Sequence, residues 1–278
     1  MGAASPEVAL EDIEVRLLLD GIHARYGFDF RDYAHASLRR RIMSRLEPEG
    51  VRSVSGLLEK VLHEPAGMER LLLSITIHVT SMFRDPAFYA AFRSQVAPVF
   101  RTYPQVRIWH AGCSSGEEVY SMAILLKEEG VYDRCRIYAT DLSEVVLDRA
   151  RSAVFPLGAM KEYTKNYIKA GGTAQFSDYY TADHEKVVFR AALHENVVFA
   201  PHNLVTDGSF NEFNVILCRN VMIYFNDILQ GRVHKLFHES LCTLGFLGLG
   251  SRESMRFSTC EDRYEPVDSA QKIYRKVR

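Results

Sequence analysis

The feature that most constrains the fold is a change in hydrophobic periodicity along the chain. Up to about residue 75, apolar residues recur at intervals of three and four, in stripes that comprise Val15, Leu18, Leu19 and Ile22, then Leu38, Ile42 and Leu46, then Val54, Leu57, Leu58 and Val61, and finally Met68, Leu71, Leu72 and Ile75. Such intervals place side chains on one face of a helix. We therefore predict a small N-terminal all-α helical domain over residues 1–75.

Beyond residue 105, short apolar strands alternate with segments of helical spacing. Strands are predicted at 106–109, 136–140, 197–200, 214–218, 246–249 and 272–277, and helices at 117–129 and 228–241. This alternation is typical of an α/β fold with a doubly wound, mainly parallel sheet. We expect that fold over residues 105–278, preceded by a linker at 76–104 and carrying a small inserted β-subdomain at about 155–197.

Composition excludes several classes of protein. A content of 47% hydrophobic residues is enough for a full core, yet no run approaches the length of a membrane span. The net charge of −1 gives no overall attraction to nucleic acid. The five cysteines lack CxxC spacing, which argues against a disulfide framework or a zinc site. Since no secretory signal is visible either, we expect a cytoplasmic protein without a bound metal.

The strongest local signal runs from strand through a small-residue turn into a helix, over residues 108–118. Its G-x-S-x-G spacing at 112–116 lets the backbone approach a ligand at the carboxyl end of a strand, where open α/β sheets bind ligands. A plain tight turn or a hydrolase elbow centred on Ser114 are the alternatives. Glu117 and Glu118 would repel an oxyanion or a phosphate at this helix start. They suit a positively charged ligand such as S-adenosylmethionine.

Polar residues also follow two other predicted strands. Asp141 closes the second strand, where a carboxylate can accept hydrogen bonds from ribose hydroxyls, although it could equally cap the next helix. Arg219 and Asn220 lie at the exit of the strand at 214–218, and Tyr224 follows them. Because parallel strands end at one edge of a sheet, these residues are expected to border the same pocket as the glycine turn.

Four segments in this order resemble the chemotaxis receptor methyltransferases (CheR-type) over nearly the whole chain. The junction resembles N-x-T-x-F-F-R-[DE] at 78–85, the glycine turn resembles A-G-C-S-x-G-E-E-x-Y-S at 111–121, and the later strand resembles C-R-N-V-x-I-Y-F at 218–225, with Asp141 between the last two. Two residues depart from the pattern. His78 stands where the family usually has Asn, and Met82 replaces the first Phe.

The resemblance implies a Rossmann-like class I methyltransferase domain that uses S-adenosyl-L-methionine and releases S-adenosyl-L-homocysteine. It implies that glutamate side chains of a chemoreceptor-type signalling protein are methylated, with the linker contributing to the cofactor site. Carried over by position, the cofactor-binding residues are His78, Thr80, Arg84, Gly112, Glu118, Asp141, Asn203, Leu204, Arg219 and Asn220. In the same way, Arg84 and Tyr224 are implied to be catalytic.

The family's N-terminal domain carries a basic helix that recognises the receptor. Here the resemblance implies a docking surface for the receptor's helical cytoplasmic domain at Arg39, Arg40, Arg41 and Arg45, and the alternative is a solvated helix face. Two other functions stay open. One is methylation of a small molecule or nucleic acid, and the other is a non-catalytic S-adenosylmethionine sensor or scaffold, which the presence of His78 favours.

Overall fold

The computed structural model describes residues 6–76, 80–256 and 258–278. These residues divide into two compact units. The first contains residues 6–76 together with 224–230, and the second contains 80–223 together with 231–278. The boundaries expected from the sequence, at 75 and 104, stay a prediction.

The first unit is all-α, as predicted. Its described helices are α1 (Pro6–Tyr26), α2 (His35–Leu46), α3 (Val54–His63) and α4 (Pro65–Ile75). All four predicted stripes supply buried core residues, among them Leu18, Ile42, Leu57 and Leu71. Gly27 ends α1 as expected of a left-handed cap, with φ +76° and its N–H donating to His23.

A buried glutamate, Glu49, joins three helices of this unit through its carboxylate and its backbone carbonyl. The Glu49 side chain is 4% exposed and accepts hydrogen bonds from Arg45 and, at 2.8 and 2.7 Å, from Nε and Nη2 of Arg70. Its backbone carbonyl accepts a hydrogen bond from Lys60 Nζ at 2.6 Å. The hydrogen bonds from Arg70, followed by those from Arg45, lower the pKa of Glu49 to about 2 despite its burial. The residue is therefore ionised at neutral pH.

The prediction that Arg41 belongs to a docking surface on α2 is wrong. Arg41 is only 8% exposed, because its guanidinium donates to the Ile75 carbonyl at the end of α4 and to Ser37 Oγ. It also lies 4.7 Å from the centroid of the Tyr224 ring, and burial lowers its pKa. Arg41 is thus a core residue of the first unit and is not available to a partner.

The second unit is built on a seven-stranded sheet. Its strands are β1 (Val106–Ala111), β2 (Cys135–Asp141), β6 (Val197–Pro201), β7 (Phe213–Cys218), β8 (Leu241–Leu249), β9 (Tyr264–Asp268) and β10 (Ile273–Lys276). They lie in the order β6-β2-β1-β7-β8-β10-β9, and every pair from β6 to β8 is parallel. Among the described strands of this sheet, β10 alone runs opposite to the others, since it is antiparallel to both β8 and β9. This confirms the predicted doubly wound, mainly parallel fold.

The described helices beyond residue 80 precede these strands or lie between them along the chain. They are α5 (Pro86–Gln95), α6 (Ala97–Phe100), α7 (Glu117–Glu128), α8 (Glu144–Ser152), α9 (Met160–Lys169) and α10 (Asp227–Ser240). The segment expected to be a linker therefore contains α5, whose Phe88, Tyr89 and Phe92 are buried. None of the described helices combines the length and apolar character needed to cross a membrane.

The inserted segment forms a separate three-stranded antiparallel sheet, which confirms the predicted β-subdomain. Its strands are β3 (Val154–Pro156), β4 (Tyr180–Asp183) and β5 (Lys186–Phe189), in the order β3-β5-β4. Helix α9, which the sequence did not indicate, lies between β3 and β4. The Glu128 carboxylate at the end of α7 holds the insertion in place, since it accepts hydrogen bonds from Tyr167, Tyr179 and two backbone N–H groups.

Candidate active site

The candidate site lies where the parallel strands of the second unit end. The strand register pairs Ala111 with Thr140, Asp141 with Pro201, and Cys218 with Leu249, so the residues that follow β1, β2, β6 and β7 leave the sheet at one edge. The chain proceeds outward from β1 through β2 to β6 and then returns to β7 on the other side of β1. Open sheets of this kind form a ligand crevice at that reversal.

The turn after β1 brings backbone close to this crevice. Gly112, Ser114 and Gly116 have φ angles of +81°, +52° and +95°. A Cβ on Gly112 would lie 2.5 Å from Cγ2 of Val221, a separation that no side chain tolerates. The turn is fastened to β2, because the N–H groups of Gly112 and Cys113 both donate to the Thr140 carbonyl at 2.8 Å. Glycine is therefore required here both by the conformation and by the neighbouring loop.

Asp141 is held at this edge by one hydrogen bond to each carboxylate oxygen, and each oxygen can accept a further one. One carboxylate oxygen accepts a hydrogen bond from the Ser114 N–H at 2.8 Å, and the other accepts one from the Ser143 N–H at 3.3 Å. Each oxygen has a second lone pair, and the residue is 9% exposed. A carboxylate fixed in this way fits the two adjacent hydroxyls of a ribose.

A charged cluster lies beside the turn. Arg219, whose side chain is 2% exposed, donates from Nη1 to Glu118 Oε2 at 3.1 Å and from Nη2 to Asp85 Oδ2 at 2.9 Å. Glu118 Oε1 lies 2.9 Å from Nδ1 of His110, which is fully buried. Burial alone would raise the pKa of Glu118, but the hydrogen bond with His110 and the charge of Arg219 outweigh it and lower that pKa.

The cluster suits a cationic ligand. Two carboxylates, of Glu118 and Asp85, face one guanidinium, so one negative charge is in excess. A negatively charged site of this kind favours an ammonium or sulfonium group over a phosphate. Together with Asp141, these residues fit the amino group and ribose of S-adenosylmethionine.

The neighbouring acid, Glu117, has a different environment. It is 6% exposed and accepts hydrogen bonds from Ser115 Oγ at 2.7 Å and from the Tyr163 hydroxyl at 3.4 Å. Burial raises the pKa of this carboxyl. The charge argument from the sequence treated the two glutamates alike and the family resemblance singled out Glu118; the structure places Glu118, and not Glu117, in the charged cluster.

Arg84 is presented by a strained turn. Phe83 and Asp85, on either side of it, have φ angles of +51° and +56°, which cost free energy for residues other than glycine. The turn is fixed because the Phe83 N–H donates to Ser121 Oγ at 2.9 Å, and the Arg84 carbonyl accepts a hydrogen bond from Arg219 at 3.2 Å. The half-buried Arg84 is thereby joined to the charged cluster through its backbone.

The loop after β7 is fixed by a buried carboxylate that sequence reasoning missed. Glu253 is 5% exposed and accepts hydrogen bonds from the N–H groups of Asn220, Val221, Met222 and Gly250, at 2.6 to 3.0 Å. Asn220 itself has φ +63°. Burial raises the pKa of Glu253, and the four donors oppose that effect. The carboxylate therefore determines the path of the loop that carries Arg219 and Asn220.

The remaining predicted residues are placed as follows. Asn203 and Leu204 are half-buried in the turn after β6, where the Asn203 side chain accepts a hydrogen bond from the Val205 N–H at 3.0 Å. Thr80 is half-buried at the start of the second unit. His78 lies outside the described residues. Tyr224 belongs to the first unit, where it packs against Arg41, and its catalytic role stays a prediction.

Fold and site together define a class I S-adenosylmethionine-dependent methyltransferase. The match extends to a specific family, since residues 78–273 correspond to the CheR methyltransferase SAM-binding domain and residues 13–76 to the CheR methyltransferase all-alpha domain. The chain belongs to the CheR methyltransferase family, and its cofactor is S-adenosyl-L-methionine.

Several relatives align with most of this chain and over most of their own length. Cher3 of Pseudomonas putida, provisionally named a methyltransferase, is 50% identical over 95% of this chain and 97% of its own length. The chemotaxis protein methyltransferase of Escherichia coli is 29% identical over 92% of this chain and 89% of its own. That of Listeria monocytogenes is 28% identical over 82% and 85%. A solved S-adenosylmethionine-dependent methyltransferase from Geobacter sulfurreducens aligns with 62% of this chain and 50% of its own at 13% identity and a TM-score of 0.34, which says nothing about substrate.

Proposed function

We propose that this chain transfers the methyl group of S-adenosylmethionine to glutamate side chains of a chemoreceptor-type signalling protein, giving glutamate methyl esters. The observation that carries the proposal is the site at the carboxyl edge of the sheet, where Asp141 and Glu118 are both held with unused acceptor positions. The relatives named chemotaxis protein methyltransferases support the choice of pathway.

The site residues divide the binding of the cofactor between them. Asp141 would accept hydrogen bonds from the ribose, Glu118 would bind the amino group, and Asn203 and Leu204 would border the base. The cofactor supplies an electrophilic methyl group on a sulfonium sulfur. Gly112 and Gly116 let the turn pack closely against Val221 and Ala150, and the backbone of this turn would border the cofactor.

A glutamate substrate requires little further chemistry from the protein. Its carboxyl group has a pKa of about 4.3 in water, so it is already an anionic nucleophile at neutral pH and needs no general base. Positioning is then the main contribution, and well-oriented geometry can supply roughly 7–11 kcal/mol. We assign this orienting role to Arg84, because its strained turn is fixed on both sides and its guanidinium can pair with a carboxylate.

We also propose that the first unit contacts an acidic helical segment of the substrate protein. Of the four arginines expected on α2, Arg40 is exposed, whereas Arg45 pairs with the buried Glu49. Arg39 is about one-third exposed and pairs with Glu11 and Asp12. The contact would therefore depend mainly on Arg40, and Arg41 takes no part in it.

The proposal is tested by methyl transfer from tritiated S-adenosylmethionine to purified chemoreceptor cytoplasmic fragments. Methyl esters are hydrolysed by alkali, so the expected label is released as volatile methanol. A receptor fragment with its methylatable glutamates changed to glutamine should accept no label. Arg84→Ala should lose most of the turnover, while Arg149→Ala, at an exposed position, should match the wild type.

Other results would point to other functions. Alkali-stable label would contradict glutamate esterification and indicate methylation of a different group. If the chain bound S-adenosylhomocysteine but transferred no methyl group to any receptor fragment, the result would indicate a sensor or scaffold and not an enzyme. Wild-type turnover in Arg84→Ala would remove the orienting role of that residue.

A further inference from the structure

His110 is an unexpected side chain in the buried strand β1. It is fully buried, and its partners in the adjacent strands are the apolar Ala139 and Leu217. Burying an imidazole in such surroundings costs free energy unless its polar atoms form hydrogen bonds. Nδ1 lies 2.9 Å from Glu118 Oε1, whereas Nε2 has no hydrogen-bond partner in the described structure. Its contact with Glu118 is therefore the feature that distinguishes this residue.

The direction of that hydrogen bond follows from the charge of Glu118. An ionised carboxylate has no proton to donate and can only accept. Since the pKa of Glu118 is lowered, its carboxylate accepts, and the proton of the contact is carried by Nδ1 of His110. The imidazole thus donates a hydrogen bond to Oε1 of Glu118, and Arg219 donates one to Oε2.

We propose that His110 is a positioning residue for the cofactor, holding the Glu118 carboxylate in the orientation that receives the amino group of S-adenosylmethionine. The inference rests on the proposed role of Glu118 as the residue that binds this group. With one donor on each oxygen, one further lone pair remains on each. A primary ammonium has three N–H donors and one positive charge, which match those two acceptors and the excess negative charge of the cluster.

Loss of His110 would change the geometry of the carboxylate. Glu118 would then be held by Arg219 without the opposing donor at Oε1. Arginine and carboxylate groups favour a bidentate pair that uses both oxygens. The carboxylate would turn towards the guanidinium, and its remaining acceptors would no longer face the ligand. The ribose contact at Asp141 belongs to a different loop and would be unaffected.

The test compares two ligands on the full chain by titration calorimetry. S-adenosylhomocysteine carries the amino group, whereas 5′-methylthioadenosine retains the nucleoside and lacks the amino acid part. His110→Leu removes the donor at similar volume, and His110→Asn keeps an amide N–H where Nδ1 lies. We expect His110→Leu to reduce the affinity for S-adenosylhomocysteine about tenfold and the affinity for 5′-methylthioadenosine by less than about twofold. His110→Asn should restore most of the loss.

Three results would overturn the inference. They are an equal loss of affinity for both ligands in His110→Leu, an unchanged affinity for S-adenosylhomocysteine in His110→Leu, and a His110→Asn variant that binds S-adenosylhomocysteine no better than His110→Leu. A wild-type protein that binds neither ligand would overturn the cofactor site as well, which separates the two failures. Should His110→Leu not fold, ¹⁵N spectra of the wild-type imidazoles decide the matter. The His110 signals must move on binding S-adenosylhomocysteine and stay unchanged with 5′-methylthioadenosine.

Discussion

The guanidinium of Arg219 stacks over the ring of Phe88, with 4.1 Å between its Cζ atom and the ring centroid. This contact joins the exit of β7 to helix α5 and covers one face of a side chain that is also paired with Glu118 and Asp85. Arg219 therefore fastens the loop that carries Arg84 to the edge of the sheet. The same cation belongs to the core of the unit and to the candidate site.

Replacing Arg219 by methionine should destabilise the second unit by about 3 kcal/mol, because it leaves the largely buried Glu118 carboxylate without its cationic partner. Unfolding in urea can be followed through Trp109, the single tryptophan of the chain, which is buried in this unit. Lysine should recover only part of the loss, since it cannot pair with both carboxylates and stack on Phe88. Stability within about 0.5 kcal/mol of wild type, as expected of Arg149→Ala, would contradict the role.

Asp141→Ala should reduce the affinity for S-adenosylhomocysteine at least tenfold, because hydrogen bonds to a charged acceptor contribute about 1.5–3 kcal/mol. Titration calorimetry measures the effect directly. Asp148→Ala, an exposed acid on α8, is the matched control and should bind like the wild type. Equal affinities for all three proteins would mean that the nucleoside does not lie against β2.

Glu253→Gln should destabilise the second unit by about 2 kcal/mol and also weaken cofactor binding. The carboxamide offers one acceptor oxygen, and its NH₂ group would face backbone N–H groups that need an acceptor. Urea unfolding followed by Trp109 fluorescence, together with titration of S-adenosylhomocysteine, checks both effects. Glu265→Gln, on the exposed face of β9, should change neither. A fully stable Glu253→Gln variant would show that the four hydrogen bonds are dispensable.

Glu49→Gln should flatten the acid dependence of stability in the first unit. Because the folded pKa of Glu49, about 2, lies below its unfolded value, its contribution is fully present above about pH 5 and is lost as pH falls towards 2. The variant should be less stable at pH 7 and should lose less on acidification. Helix circular dichroism in urea at pH 7 and pH 4 gives the comparison. Glu59→Gln, exposed on α3, should keep the wild-type slope, and an unchanged slope in Glu49→Gln would refute the assignment.

Adjacent arginines on α2 should respond in opposite ways. Arg41→Ala should lower the stability of the first unit, since it leaves the Ile75 carbonyl at the end of α4 without its donor and uncovers the Tyr224 ring. Arg40→Glu should leave stability unchanged within about 0.5 kcal/mol and reduce methyl transfer to an acidic receptor fragment. Thermal unfolding and the tritium assay separate the two. Loss of stability in Arg40→Glu would place that side chain in the core as well.

The strand ends were predictable because parallel strands buried on both faces read as short apolar runs, so Asp141 and Arg219 could be located directly after them. The separate environments of Glu117 and Glu118 could not be predicted from the charge pattern alone, and only the family resemblance singled out Glu118. Successive helical residues point about 100° apart, and which one faces the crevice depends on how Gly116 starts the helix. The residue types in the turn do not determine this backbone conformation, so the orientation of the two side chains could not be read from them.

The position of Arg41 was, by contrast, readable in principle. It follows Leu38 by three residues and precedes Ile42, so helical spacing already placed it beside the apolar stripe of α2. The run of three arginines suggested a charged face and concealed this. Glu253 gave no such signal, because its four donors come from two loops that approach one another only in the folded sheet.

Gly250 packs closely against both Glu253 and the loop that Glu253 holds in place. A Cβ there would lie 2.7 Å from the Glu253 carboxylate and 2.8 Å from the Asn220 backbone nitrogen. Gly250, Glu253 and Asn220 are thus packed together, although they lie in two different loops, the one after β8 and the one after β7. We therefore expect substitutions at the three positions to be energetically coupled, so that their combined effect on stability differs from the sum of the single effects.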